Sequence, residues 1–243
     1  MRIGVYVDGF NLYYGARGIC GRGTPGWRWL DLRGLATSLV RGHRGWPDAQ
    51  VNRVVYCTAR IDAASNPAGA RDQETYLHAL EAADSVDLIE YGTYVSHVRT
   101  APLATRDEQG RPQVVGPQWP VMVQDGHGEH VTDAVFMVSY AHREEKATDV
   151  NLATHLLLDV LGGQIDAAMV ISNDSDLRLP VREARQQLPV AIVNPSHSYL
   201  ASDLHGEPDA GAGRHWWMRL SAADLKQHQL TNEVGAYRKP AGW

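Results

Sequence analysis

Short, largely apolar runs alternate along the chain with segments whose apolar residues recur at helical spacing. Residues 3–7, 51–57, 86–91, 167–171 and 190–193 are rich in Val, Ile and Ala, the pattern of strands buried on both faces. Between them, Leu32, Leu35, Ala36, Leu39 and Val40 fall on one helical face, as do Tyr76, Leu77, Leu80 and Ala83. Val150, Ala153, Leu156, Leu157, Val160 and Leu161 form a longer stripe, which Gly162-Gly163 brings to a stop. Strands that alternate with helices predict an α/β fold around a mainly parallel sheet covered on both faces.

Residues 92–147 break that rhythm. Stretches 93–99, 113–115, 121–124 and 134–140 have strand character, and Asp107-Glu108-Gln109-Gly110 and Asp125-Gly126-His127-Gly128 have turn chemistry. An antiparallel β insertion is expected there, ahead of a helix over 148–161. After Pro195 come a Gly/Pro/Asp-rich loop, the aromatic piece His215-Trp216-Trp217-Met218 and a short helix opened by Ser221 and Asp224, spaced as in a capping box. No repeat and no long linker divides the chain. The expectation is one domain over 1–195 carrying the insertion, with 196–243 packed on it as an extension and Trp216-Trp217 as the anchor.

Composition narrows the class without changing this picture. With 44% hydrophobic and 21% charged residues in 243, the chain is globular rather than disordered. It contains no apolar run of about 20 residues and no signal-peptide order at its start, and Cys20 and Cys57 are its only cysteines. A cytoplasmic protein is expected, with no disulfide framework. A net charge of −5 argues against a DNA coat and leaves room for an enzyme that spends carboxylates on a cation.

Strand position sorts those carboxylates. Asp8 ends the first strand, Asp174 and Asp176 follow the 167–171 strand, and Asp149 opens the helix before it, so all four fall on the carboxyl edge of a right-handed β-α-β sheet. Asp159, about 15 Å further along its helix, and Asp166, ahead of its strand, are placed elsewhere. Clustered carboxylates repel unless a proton or cation intervenes. Hard oxygen donors point to Mg²⁺ or Mn²⁺, with Asn11 adding a carbonyl oxygen or orienting a phosphate or water. Each residue also has a plain structural use: Asp8-Gly9 as a turn, Asp149 as a helix-dipole partner, and Ser172-Asn173-Asp174-Ser175-Asp176 as a cap. Agreement of three separate segments on one edge favours a shared site.

Those segments resemble the NYN domain, a branch of the PIN-like nuclease superfamily, and most of all its bacterial LabA-like members. The resemblance rests on Ile3-Gly4-Val5-Tyr6-Val7-Asp8-Gly9-Phe10-Asn11-Leu12, Glu145-Lys146-Ala147-Thr148-Asp149-Val150-Asn151-Leu152 and Val170-Ile171-Ser172-Asn173-Asp174-Ser175-Asp176-Leu177, and covers about residues 1–195. It implies a three-layer α/β/α, Rossmann-like fold and a metal-dependent ribonuclease that leaves a 5′-phosphate. Asp8, Asp149 and Asp174 would ligate the metal, Asp176 would be an additional acid, and Asn11 would fill the family's polar position. Asn173 and Ala147 stand where the family often has glycine.

An RNA substrate would need cations and stacking surfaces. Arg17, Arg22 and Arg28 are expected in a loop after Asp8, and Arg143, Lys146, Arg178 and Arg182 flank the other acids. Tyr13, Tyr14, Trp27 and Trp29 could stack on unpaired bases or cover the sheet. The eleven histidines suggest no metal set; His127 and His130 read as a surface loop, and Cys57 as core. A non-catalytic RNA-binding or regulatory module is the alternative, with a homo-oligomer or regulatory partner left open. Phe10 removes the second Asp of a haloacid-dehalogenase-type phosphatase, and Gly9 opens no G-x-G-x-x-G turn of a dinucleotide enzyme.

Overall fold

The computed structural model describes residues 1–118 and 121–243, less the side chains of Ser96 and Arg143. Residues 1–94 and 145–243 form one compact unit and residues 95–144 a second.

In the first unit, strands β1 (Arg2–Asp8), β2 (Gln50–Ala59) and β3 (Leu88–Pro102, continuing into the second unit) are joined through helices α1 (Gly9–Cys20), α2 (Leu32–Arg41) and α3 (Pro67–Ala82). Helix α4 (Thr148–Leu161) leads to β7 (Ala167–Ile171), α5 (Arg178–Gln187) and β8 (Val190–Asn194). Strand β9 (Trp216–Arg219) and helix α6 (Ala222–Gln227) follow, then the small antiparallel pair β10 (Glu233–Val234) and β11 (Tyr237–Arg238). The sheet order β3-β2-β1-β7-β8-β9 is parallel throughout. Chain order reverses between β1 and β7, so a crevice opens beyond their carboxyl ends.

Pleating divides the core in two. Ile3, Val5 and Val7 pack with Leu12, Ala16, Leu35, Leu77 and Leu80 from α1, α2 and α3. Tyr6, Val55, Cys57 and Val170 pack with Leu152, Leu156, Val181 and Ala184 from α4 and α5. This bears out an α/β fold with a mostly parallel sheet, and Cys57 as core.

Three details differ from expectation or refine it. The loop expected after Asp8 is helix α1, which contains Arg17 and ends at Cys20. Its glycines disguise it: a Cβ on Gly15 would lie 2.4 Å from the Pro195 carbonyl, so glycine is what lets the helix pass that backbone. The aromatic tail piece is a sixth parallel strand of this unit, with Trp216 packed against His43 and Trp46. The Ser221–Asp224 capping box forms as its spacing predicts.

The second unit holds the outer part of β3, the antiparallel pair β4 (Ala104–Arg106) and β5 (Pro112–Val114), and most of β6 (Met137–Lys146), which neighbours β3 in the sheet. Asp107 and Asp125 close turns by accepting backbone N–H groups, as their sequences suggest. The strand expected over 121–124 is reduced to two isolated bridges, Val121 with Gln118 and Gln124 with His130, and the one expected over 134–140 lies further on as β6. Among the described residues no helix is long and apolar enough to cross a membrane.

Candidate functional site: an acid cluster beside an aromatic cavity

The crevice is built by strand ends. Asp8 is the last residue of β1 and the N-cap of α1; its Oδ1 accepts the Asn11 N–H at 2.9 Å. Its Oδ2 accepts the Ser172 hydroxyl at 2.9 Å, just past the end of β7. The same Ser172 oxygen accepts the Asp174 N–H at 3.1 Å, and Asp174 Oδ1 accepts the Asp176 N–H at 3.0 Å. Asn11 Oδ1 accepts the Asn173 N–H at 3.0 Å, tying α1 to this turn. Asp149 enters from the first turn of α4.

One carboxylate oxygen each from Asp8, Asp149 and Asp174 lies within 4.8 Å of the other two. Three of the four expected acids therefore converge. Asp176 is outside that triad but close enough to repel Asp149. Asn11 lies beside the triad, where its carbonyl oxygen accepts the Asn173 N–H and so positions the β7–α5 turn. Asp159 and Asp166 are indeed elsewhere, paired with Arg53 and Tyr6 and with Arg2 respectively.

The crowding registers in the proton affinities. Burial pushes the Asp8 carboxyl up to about 7, with Asp149 and Glu145 adding repulsion and the Asn11 and Ser172 donors opposing it. Asp149 rises to about 6, from burial and then from Asp174, Glu145 and Asp176. Glu145 is raised by burial and accepts a hydrogen bond from Thr148 Oγ1. Sequence reasoning gave two members of this group no part in the site, although both lie within the segments that carry the acids. They are Ser172, which binds two acid segments together, and Glu145, whose side chain turns back over its own helix start. Ala147 bridges to that helix at φ 78°, the left-handed conformation that glycine would adopt more easily. Asn173 is not left-handed; its side chain instead bonds the Tyr199 carbonyl and the Ala201 N–H.

Gly9, next to Asp8, opens a cavity of about 340 Å³ lined by Phe10, Tyr13, Tyr14, Tyr56, Tyr94 and Trp243, with Arg28 at its wall. A Cβ on Gly9 would lie 2.7 Å from the Tyr56 ring, so that ring rests directly on the helix start. Tyr94 is pushed up to about 12 by burial, with Glu145 and Tyr14 contributing, which places the acids and the aromatic wall in one electrostatic neighbourhood. A flat ring fits such a lining.

The residues expected to touch RNA scatter. Trp27 is only 2% exposed, with Tyr13 against it and the Arg28 guanidinium 4.6 Å from its ring centre, so it offers no open face to a base; Trp29 is buried too. Arg17 lies over Tyr14, Arg22 and Lys146 are exposed, and Arg178 pairs with Asp203 at 3.4 Å. The side chain of Arg143 lies outside the described residues.

No known family model matches the sequence. The chain is 27% identical to 6-hydroxy-3-succinoylpyridine 3-monooxygenase HspA of Pseudomonas putida, over the whole of this chain and 75% of that protein. Among solved structures, a protein of unknown function from Vibrio parahaemolyticus aligns with 90% of this chain and 93% of its own, at 14% identity and a TM-score of 0.45. The first similarity corrects the expected function. It points to an oxidoreductase rather than to a ribonuclease or any other phosphodiester hydrolase. Acids gathered on a sheet edge do not specify the bond that is attacked, which is why their placement did not carry the reaction with it.

Proposed function

We propose that this chain is an oxidoreductase that hydroxylates an oxygen-bearing heteroaromatic ring, with dioxygen and a two-electron donor as co-substrates. One oxygen atom enters the substrate, and the other leaves as water with the two electrons and two protons. The observation that carries the reading is the full-chain similarity to a hydroxypyridine monooxygenase. The cavity supports it: Phe10, Tyr14 and Tyr56 line its wall and would give a flat ring aromatic surface to pack on. Arg28, held by the Gly242 and Arg22 carbonyls, puts a positive charge at the cavity wall that would favour an anionic arm of the substrate.

Asp8, Asp149 and Asp174 would hold Mg²⁺ or Mn²⁺, whose preference for hard oxygen ligands suits their donor set. A bound cation would supply Lewis acidity toward a ring oxygen. Ser172 fixes the Asp8 carboxylate, Asn11 holds the turn that carries Asp174, and Asp176 adds negative charge at the rim. The resemblance to the NYN domain remains part of this reading as a proposal about the scaffold alone.

Oxygen uptake by the purified protein, supplied with reduced nicotinamide and a panel of hydroxylated pyridines, tests the reading. Uptake that depends on the ring and falls on the order of 100-fold in Asp174→Asn is expected. A protein that binds these rings yet consumes no oxygen with any reduced donor would overturn it.

A further inference from the structure

In the second unit, His97 on β3 and His142 and Glu144 on β6 each present one ligand atom within 4.8 Å of the other two. The two imidazole rings stand 5.4 Å apart at 61°, near enough to share a neighbour and too tilted to stack. All three residues are half-buried. The strand pleat accounts for part of this: His142 and Glu144 are two residues apart and so emerge on the same face of β6.

A cation already occupies this group. The Arg99 guanidinium donates from Nε to His97 Nε2 at 2.8 Å and from Nη2 to Glu144 Oε2 at 2.9 Å. In accepting that bond, His97 Nε2 turns its lone pair toward the guanidinium. Its lone pair therefore already faces a positive charge that it shares with the Glu144 carboxylate. A metal bound at Nε2 would draw on that same lone pair.

We infer that His97, His142 and Glu144 form a binding site for a divalent transition metal, with Arg99 as the internal cation that the metal displaces. Two imidazoles and one carboxylate suit Zn²⁺, Co²⁺ or Fe²⁺ and disfavour Mg²⁺, which seeks oxygen donors and gives up its water reluctantly. The site is separate from the three aspartates, and its existence does not depend on the oxidoreductase reading. Arg99 is 45% exposed at its side chain, so it can swing into solvent when the metal arrives. Its pairing sets a threshold on affinity: the metal must compete with a guanidinium held by two hydrogen bonds.

The test is titration of the full chain with Co²⁺, whose visible bands report nitrogen ligation, run in an Asp8→Asn, Asp174→Asn background so that oxygen-only binding does not contribute. One equivalent of Co²⁺ with nitrogen-shifted bands is expected. Replacing His97 or His142 by Ala should weaken binding roughly tenfold or more. Arg99→Ala should tighten it about fivefold, the scale of a half-exposed ion pair. Circular dichroism on each variant confirms that the fold is intact, and His142→Gln keeps the side-chain volume where His142→Ala does not fold. Co²⁺ binding unchanged by loss of both histidines, or no nitrogen-shifted band in the parent, would overturn the proposal. Neither result bears on oxygen uptake, so the two readings fail separately.

Discussion

The aspartate cluster and the histidine group offer a cation the same number of ligand atoms under opposite conditions. Asp8, Asp149 and Asp174 come from the ends of buried elements, and Asp8 is 3% exposed. Burial first, and their mutual repulsion after it, raises the proton affinity of Asp8 to about 7 and of Asp149 to about 6. His97, His142 and Glu144 stand on half-exposed strands, where an arginine already supplies the positive charge. Surplus negative charge can be answered by a proton, a side chain or a metal, and the donor chemistry and the depth of the site decide among them.

The largest effect should separate the two sites. Asp8→Asn with Asp174→Asn is expected to weaken Mn²⁺ binding roughly 100-fold or more while leaving the Co²⁺ titration of the histidine group unchanged. Isothermal titration with each metal checks this, and parallel losses at both sites would erase the distinction between them.

The next is a pH effect confined to the acids. The folded Asp8 carboxyl, at about 7, sits above its ordinary value of 3.8, so the folded state favours the protonated form. That contribution to stability is fully present below about pH 4 and is lost as pH rises through about 7 in the metal-free protein. Its size is about 1.4 kcal/mol for every tenfold difference in proton affinity between folded and unfolded chains. Mn²⁺ reverses the trend, because it takes the place of the proton: its affinity should rise from about pH 5 and level off above about pH 7. Thermal melts from about pH 4 to about pH 8, with and without Mn²⁺, read both signs. A metal-free melting temperature that climbed steadily across that range would contradict the crowding of the acids.

How much of this is legible in the sequence follows from where each residue sits. Asp8, Asp149 and Asp174 can be placed because strand ends and helix starts are written in local hydrophobic pattern, and the direction of a parallel sheet does the rest. Asp159 and Asp166 are excluded on the same ground, and Arg53 and Arg2 occupy them. Ser172 and Glu145 are visible in their segments, but a side-chain hydrogen bond across 164 residues has no local signature. The histidine group escapes sequence reasoning altogether. His97 and His142 meet only through the pairing of β3 with β6, and register across an irregular insertion cannot be read from spacing. The aromatic cavity is half legible: Phe10, Tyr13 and Tyr14 lie beside the first motif, whereas Tyr56, Tyr94 and Trp243 arrive from three distant segments.

Smaller changes distinguish lining from ligand. Phe10→Ala or Tyr14→Ala should weaken binding of a hydroxypyridine about five- to tenfold, the scale of one aromatic contact, without altering Mn²⁺ affinity. Equilibrium dialysis of ring and metal separately resolves the two. The smallest effect should come from Ala147→Gly. Relief of the left-handed strain at φ 78°, partly offset by glycine's extra unfolded-state freedom, should raise stability by up to about 1 kcal/mol in a denaturant melt.

The proposed insertion of one atom of dioxygen into a ring would leave an isotopic record. Mass spectrometry of the product formed under ¹⁸O₂ reads it. One ¹⁸O atom in a hydroxylated pyridine is expected, with no labelled product from the Asp8→Asn protein. A product whose new oxygen carries no label, and so comes from water, would refute the monooxygenase reading.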